Sequence, residues 1–69
     1  MGTNGAPVTR LLYTPEEAAE ALAIGRSLIY EEIRLGRLQT VRIGRRRLVP
    51  PDYVTAYIDL LKRESEAAA

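Results

Sequence analysis

The sequence predicts a small α+β domain, mostly α-helical, in which two helices, a two-stranded β-hairpin and a C-terminal helix follow one another. Three observations predict this order. Apolar residues recur at helical spacing before Gly36, the stretch "LQTVRIGRRRLVP" alternates with period two, and helical spacing returns after Pro51. A chain of 69 residues has room for one such domain, and its stability margin is thin because it buries only about 60% of its unfolded surface.

The first helix has a strong start signal in "YTPEEA". Thr14 can cap the helix, Pro15 suits its first position, and Glu17 completes a threonine–x–x–glutamate capping box. The side chains expected to face inward are mostly small: Ala18, Ala21 and Leu22. Small side chains let a second helix approach closely, and we expect the first helix to end near residue 22 or 23.

The second helix follows the short turn "AIGRS", and either Gly25 or Ser27 can begin it. Ile29 and Ile33 lie four residues apart and define its buried side. Gly36 is placed to end the helix in a left-handed conformation. Two short helices joined by a tight turn are what a helix-turn-helix motif requires.

A β-hairpin follows if Gly44 and Arg45 form a two-residue turn, with the glycine at the positive φ angle of a type II′ turn. This turn sets a register of three pairs: Ile43 with Arg46, Arg42 with Arg47, and Val41 with Leu48. The face that can rest on the helices carries three apolar residues: Val41, Ile43 and Leu48. A shift of the register by one residue would exchange the two faces.

The third helix starts at Pro51, after Pro50 has ended the second strand. Its apolar residues follow the i, i+3, i+4, i+7 pattern: Val54, Tyr57, Ile58 and Leu61. We expect Tyr57 in the core and Tyr53 partly exposed. The whole arrangement is a winged helix-turn-helix, placed at residues 11–63 between a flexible N-terminal arm (1–10) and a flexible C-terminal tail (64–69).

Positive charge is concentrated in the middle of the chain. Residues 22–48 hold seven arginines and two glutamates, a net charge of +5, whereas the whole chain carries +1. Nine arginines against one lysine favour planar, bidentate contacts to phosphate or guanine. Charged hairpin edges also prevent aggregation, but four arginines within six residues exceed that need, and we favour contact with nucleic-acid phosphate.

The candidate DNA contacts lie on the second helix, just after it, and on the hairpin: Arg26, Ser27, Tyr30, Arg34, Arg37, Arg42, Arg45, Arg46 and Arg47. A helix fits the major groove and arginine fits a narrow minor groove. The alternative for Arg34 is a pair with Glu31 or a stack on Tyr30. Arg37 either touches phosphate or complements the helix dipole. Glu31 either accepts from cytosine N4 or holds Arg34 or Ser27 in position.

The composition argues against several other functions. The chain has no cysteine and no histidine, so the usual metal ligands and the usual general base are missing, and we expect no metal, no cofactor and no enzymatic activity. Glu16 and Glu17 are explained by the capping box. No apolar run approaches the roughly 18 residues of a membrane span, so we expect a cytoplasmic protein with no membrane partner.

Four segments together resemble the small winged-helix domains of phage and plasmid excisionases, which are related to the MerR-type DNA-binding domain. They are "TPEEAAEAL", "GRSLIYEEIRLGRL", "VRIGRRRLVP" and the closing apolar helix. The resemblance covers about residues 11–61. By position it places Arg26, Ser27, Tyr30 and Arg34 on the recognition helix, and Arg45 and Arg46 at the wing tip. Two positions depart from the family's pattern. Gly25 stands where a serine or threonine often caps the recognition helix, and Glu31 stands where a basic or polar residue is common.

The resemblance implies a recombination directionality factor: a protein that binds short DNA sites, bends double-stranded DNA and directs an integrase or other recombinase toward excision. The resemblance also implies contacts between neighbouring copies on the DNA and association with the nucleoid of a bacterial host. The alternative is a small winged-helix transcriptional regulator that uses the same surface. A MerR-type regulator would normally continue into a long dimerisation helix. A third reading is an interaction module whose wing binds RNA or an acidic protein.

Overall fold

A computed structural model describes residues 10–68 and contains the five predicted elements in the predicted order. They are α1 (Pro15–Leu22), α2 (Arg26–Arg34), β1 (Val41–Ile43), β2 (Arg46–Leu48) and α3 (Pro51–Ala68). The predicted fold class, a mostly α-helical winged helix-turn-helix, is confirmed. Residues 1–9 of the expected N-terminal arm, and residue 69, lie outside the described part.

The start of α1 is the predicted capping box. The Thr14 hydroxyl accepts from the Glu17 amide at 3.1 Å, and the Glu17 carboxylate accepts from the Thr14 amide at 2.9 Å. The expectation that Ala21 faces inward is wrong, because Ala21 is exposed and Ala19 is buried instead. The buried side of α1 follows the i, i+3, i+4, i+7 spacing of Pro15, Ala18, Ala19 and Leu22.

The turn between α1 and α2 is tight, and α2 packs on α1. Ala23 ends α1 with a left-handed φ of 60°, and Gly25 caps α2 in an extended conformation without a side-chain hydrogen bond. Ile29 and Ile33 are buried as predicted. Gly36 follows the helix with φ 77°, in the left-handed conformation that the sequence predicts.

The hairpin of residues 41–48, here called the wing, has the predicted register. Val41 pairs with Leu48, Arg42 with Arg47, and Ile43 with Arg46. Gly44 has φ 60° whereas Arg45 does not have a positive φ, which is the pattern of a type II′ turn.

One prediction for the wing is wrong. Ile43 does not rest on the helices but is 56% exposed, and only Leu48 is buried, with Val41 half-buried. The wing has three residue pairs, and the pair at its base lies against the core while the pair next to the turn projects beyond it. The segment before α1 anchors the base, since Tyr13 and Val49 exchange two backbone hydrogen bonds of 2.9 and 2.7 Å.

The core lies between the three helices and the base of the wing. Its buried members are Ala18, Ala19, Ile29, Ile33, Leu38, Val49 and Tyr57, with Tyr13, Leu22, Ile24, Tyr53 and Val54 packed against them. Tyr57 is in the core and Tyr53 is half-buried, as predicted. The expectation that Ile58 and Leu61 lie on the buried stripe is wrong, because they are 36% and 37% exposed.

The expected C-terminal tail, residues 64–69, begins within α3. The helix continues without interruption through Ala68, and Glu64 binds a side chain from the loop after α2. Residues 61–68 are all exposed, so the helix is held here by its own backbone hydrogen bonds and by that one contact. Within residues 10–68, no helix has the length and apolar character of a membrane span.

Candidate nucleic-acid interface

The predicted recognition helix is α2, the second helix of the helix-turn-helix. Arg26, Tyr30 and Arg34 lie four residues apart and form one exposed stripe, with Ser27 exposed beside it. The buried side of the helix, Ile29 and Ile33, fixes the orientation of this stripe away from the core. The four residues predicted on this helix therefore share one solvent-facing surface.

Glu16 of α1 holds two of these side chains. Its Oε2 atom accepts a hydrogen bond from Arg26 Nη2 at 3.3 Å and a second, short one from the Tyr30 hydroxyl. The hydrogen bond from Tyr30, and then the backbone amide of Glu16 itself, hold the pKa of Glu16 below its usual value. The same hydrogen bond raises the pKa of Tyr30. Glu16, explained by sequence only as part of a start signal, is thus a member of the candidate interface.

Glu31 holds the third side chain. Arg34 donates two hydrogen bonds to it, from Nε to Oε1 at 3.1 Å and from Nη2 to Oε2 at 2.5 Å. These bonds lower the pKa of Glu31 and raise that of Arg34. Of the alternatives that the sequence leaves open for Glu31, the structure shows the pair with Arg34. The exposed face of α2 therefore carries two guanidinium groups matched by two carboxylates.

Arg37 lies in a different environment from the other candidates. Its Nε atom donates to Glu32 at 2.7 Å, and its two terminal nitrogens donate to Glu64 at 2.5 and 2.7 Å. These bonds to two carboxylates, first of all those to Glu64, raise the pKa of Arg37 further. Arg37 therefore links α2 to α3 through Glu32 and Glu64. The sequence predicted either a phosphate contact or an interaction with the helix dipole for Arg37, and neither includes this link.

Glu32 is the residue that sequence reasoning missed. It is only 8% exposed, and its Oε1 atom accepts from Arg37 and from the Tyr57 hydroxyl, the latter at 2.9 Å. A usable signal was present, because Glu32 lies three residues after Ile29 and next to Ile33, on the buried side of the helix. A carboxylate at such a position has to find donors.

The wing carries the charge that is not matched. Arg42, Arg45, Arg46 and Arg47 are all exposed, and none of them has a carboxylate within 4.0 Å among residues 10–68. Arg42 lies directly opposite Arg47, Arg45 occupies the turn, and Arg46 lies opposite the exposed Ile43. The four predicted wing residues are thus brought together on one projecting hairpin.

The part of the chain that the structure describes contains no pocket. Within it, no group of three acidic, histidine or cysteine side chains could hold a metal ion. The distinctive surfaces of the described residues are therefore the exposed face of α2 and the wing.

Comparison with known proteins assigns the chain to a family. The helix-turn-helix domain family matches residues 12–59, which include α1, α2, the wing and the first half of α3. The chain belongs to the helix-turn-helix domain family. The matched residues include both helices of the motif, α1 and α2.

One curated relative of this helix-turn-helix protein is named a probable excisionase and comes from Saccharopolyspora erythraea. The two are 39% identical over 59 residues, which make up 86% of this chain. The chain spans 60% of the length of that relative. No solved structure matches the chain.

Proposed function

We propose that this helix-turn-helix protein binds double-stranded DNA, with α2 in the major groove and the wing on the adjacent backbone or minor groove. The unmatched charge of the wing carries the proposal. Like charges directly opposite each other oppose hairpin formation, and here Arg42 faces Arg47 without a carboxylate nearby in residues 10–68. A row of phosphates neutralises such a hairpin and releases counterions as it binds.

The two parts of the surface have different tasks in this proposal. Four side chains of α2 reach base edges in the major groove: Arg26, Ser27, Tyr30 and Arg34. Guanine offers two hydrogen-bond acceptors there, O6 and N7, to which an arginine can donate. The wing arginines position the protein through contacts that carry no sequence information. We propose that Arg37 lies outside the interface, because it binds two carboxylates and its side chain is only 30% exposed, whereas Arg26 and Arg34 bind one each and are 75% and 67% exposed.

The biological role we propose is that of an excisionase. The probable excisionase from S. erythraea supports it, as does the resemblance in the four segments named above. In this role the protein binds several short sites, bends the DNA and directs an integrase toward excision while catalysing nothing itself. Its partners are then double-stranded DNA, the integrase and neighbouring copies of the same chain, and its place in the cell is with the host's DNA.

Gel-shift titration on a tiled set of DNA fragments from around its own gene tests the proposal, at two salt concentrations and with a bending assay on the best fragment. A ladder of discrete, cooperative complexes on one fragment, with a bent product, is the expected result. A single complex over a promoter would favour the transcriptional regulator. Equal, salt-sensitive smearing on every fragment, or equal binding of RNA, would contradict sequence-specific DNA binding.

Substitution of two wing arginines tests whether the wing contributes to the binding seen in that experiment. Arg45→Gln with Arg46→Gln removes charge from exposed positions, so the fold is retained and binding to every fragment weakens. Loss of the ladder without loss of the circular dichroism spectrum of the free protein is the expected outcome.

A further inference from the structure

The recognition helix and the wing differ sharply in how their charges are matched. Two guanidinium groups on α2 each have a carboxylate partner, Glu16 for Arg26 and Glu31 for Arg34. The four wing arginines have none among the described residues. The stripe that reaches base edges is therefore close to neutral, whereas the hairpin that touches the backbone is strongly positive.

We propose that Glu16 and Glu31 are specificity-determining residues, which occupy Arg26, Tyr30 and Arg34 on non-specific DNA and so prevent these side chains from binding phosphate wherever the protein lands. The inference rests on the proposed DNA binding. It assigns the discrimination between sites to two carboxylates as well as to the side chains that contact bases.

The geometry of the pairs supports competition with phosphate. Arg34 uses Nε and Nη2, the two-pronged edge that would grip a phosphate, on the two oxygens of Glu31. Arg26 and Tyr30 converge on a single oxygen of Glu16. A phosphate that takes either arginine must also approach the carboxylate it displaces, and that repulsion is present on every DNA sequence.

A specific site can offset this repulsion in a way that random DNA cannot. Cytosine N4 donates to a carboxylate, and guanine O6 and N7 accept from an arginine that a neighbouring carboxylate holds in line. The pairs are exposed, with side-chain exposures of 75% and 40% for Arg26 and Glu16, and of 67% and 47% for Arg34 and Glu31, so they can exchange partners. Specificity of this kind relies on a repulsive element as well as an attractive one.

The test uses the full chain and a random-sequence duplex of about 24 base pairs, with binding followed by fluorescence anisotropy between about 50 and 200 mM salt. Glu16→Gln and Glu31→Gln are compared with Glu66→Gln. Glu66 has the same charge, is exposed on α3 and makes no ion pair within residues 10–68. Glu31→Asp keeps the negative charge on α2 and serves as the conservative variant.

We expect Glu16→Gln and Glu31→Gln each to bind the random duplex about 3- to 10-fold more tightly and to steepen its salt dependence by about one phosphate contact. The ratio between the best tiled fragment and the random duplex falls accordingly. Glu66→Gln and Glu31→Asp stay close to the unsubstituted protein.

Two results overturn the inference, and they are distinguishable. If the unsubstituted chain binds no duplex, the proposed function fails and the inference fails with it. If that chain binds but the two glutamine variants match Glu66→Gln in affinity and salt slope on the random duplex, DNA binding stands and the role of the carboxylates is refuted. Circular dichroism spectra confirm that each variant is folded.

Discussion

Tyr57 of α3 donates its hydroxyl to the carboxylate of Glu32 of α2 at 2.9 Å, and both side chains are buried. A buried carboxylate is costly unless donors surround it, and Arg37 supplies the second donor at 2.7 Å. Within residues 10–68, every fully buried side-chain nitrogen or oxygen has a partner. The contact therefore joins α2 to α3 through a polar network that tolerates little change.

Substitution of Tyr57 by phenylalanine tests the strength of that contact. The variant keeps the ring in the core and removes one donor from a buried carboxylate, so we expect the free energy of unfolding to fall by about 1–3 kcal/mol. Urea denaturation followed by circular dichroism measures the change.

Tyr53→Phe is the matched control for that measurement. Tyr53 lies on the same helix, is half-buried, and its hydroxyl makes no hydrogen bond within the described residues. Its removal should change the free energy of unfolding by less than about 0.5 kcal/mol. Equal destabilisation of both variants would mean that the Glu32 contact adds nothing.

The same pair predicts how stability changes at alkaline pH. Burial, and then the hydrogen bond to Glu32, raise the pKa of Tyr57 to about 12 from the ordinary value of 10.0. The folded protein holds this proton more tightly than the unfolded chain does. The corresponding stabilisation is fully present below about pH 10 and is lost as the pH rises through about 12.

Urea denaturation at a series of pH values across that interval checks the prediction. The free energy of unfolding should fall more steeply in the unsubstituted protein than in Tyr57→Phe, because only the unsubstituted protein carries the Tyr57 hydroxyl. Parallel curves for the two proteins would show that Tyr57 does not carry the dependence.

Arg37 is predicted to stabilise the fold and not to bind DNA. Arg37→Gln leaves Glu32 with Tyr57 as its remaining side-chain donor, so the free energy of unfolding should fall by about 1–3 kcal/mol. The salt dependence of DNA binding should not change. Arg42→Gln removes the same charge from an exposed wing position. It should leave the free energy of unfolding nearly unchanged and reduce the salt dependence of DNA binding. An Arg37 variant that melts normally but loses a phosphate contact would refute this assignment.

Local signals explain how much of the fold could be predicted from the sequence. The capping box at Thr14, the end of α2 before Gly36 and the turn at Gly44 depend on residues within four positions of each other, and all three are present. The register of the wing follows from that turn.

What the sequence did not reveal depends on contacts between distant residues. Arg37 and Glu64 lie 27 positions apart, so no periodicity in α2 or α3 could have paired them. The exposure of Ile43 depends on how far the wing projects beyond the helices, which alternation along a strand does not encode. Glu16 was explained by its place in α1, whereas its contact with Tyr30 arises from the packing of α1 on α2.

Substitutions in the wing and on α2 should affect DNA binding differently. A single substitution in the wing should weaken DNA binding without affecting sequence preference. Arg46→Gln is expected to lower affinity equally on all duplexes and to reduce the salt slope by about 0.9. Arg34→Ala is expected to lower sequence preference instead, by about 1–3 kcal/mol for a lost base contact.

Arg63→Gln is the control for charge alone in those titrations. It removes one positive charge from an exposed position of α3, outside the proposed interface. Anisotropy titrations at several salt concentrations measure all three variants. If Arg46→Gln and Arg63→Gln lower DNA affinity and the salt slope equally, the wing contributes only to the net charge of the protein and makes no direct contact with DNA.

Two glycines give opposite predictions for stability, and the reason is their backbone conformation. An added Cβ meets nothing within 4 Å at Gly44 or at Gly25, so packing does not distinguish them. Gly44 has φ 60°, and Gly44→Ala should cost about 1–2 kcal/mol because a side chain is disfavoured there. Gly25 has φ −77° and caps α2 without a side-chain bond.

Gly25→Ser supplies the missing cap at no cost in backbone strain. The serine hydroxyl can accept from an amide of the first turn of α2, and the unfolded chain loses conformational freedom, so stability should rise by about 0.5–1 kcal/mol. Thermal melting of the free protein measures both variants. A destabilised Gly25→Ser would show that this turn needs glycine for a reason other than its φ angle.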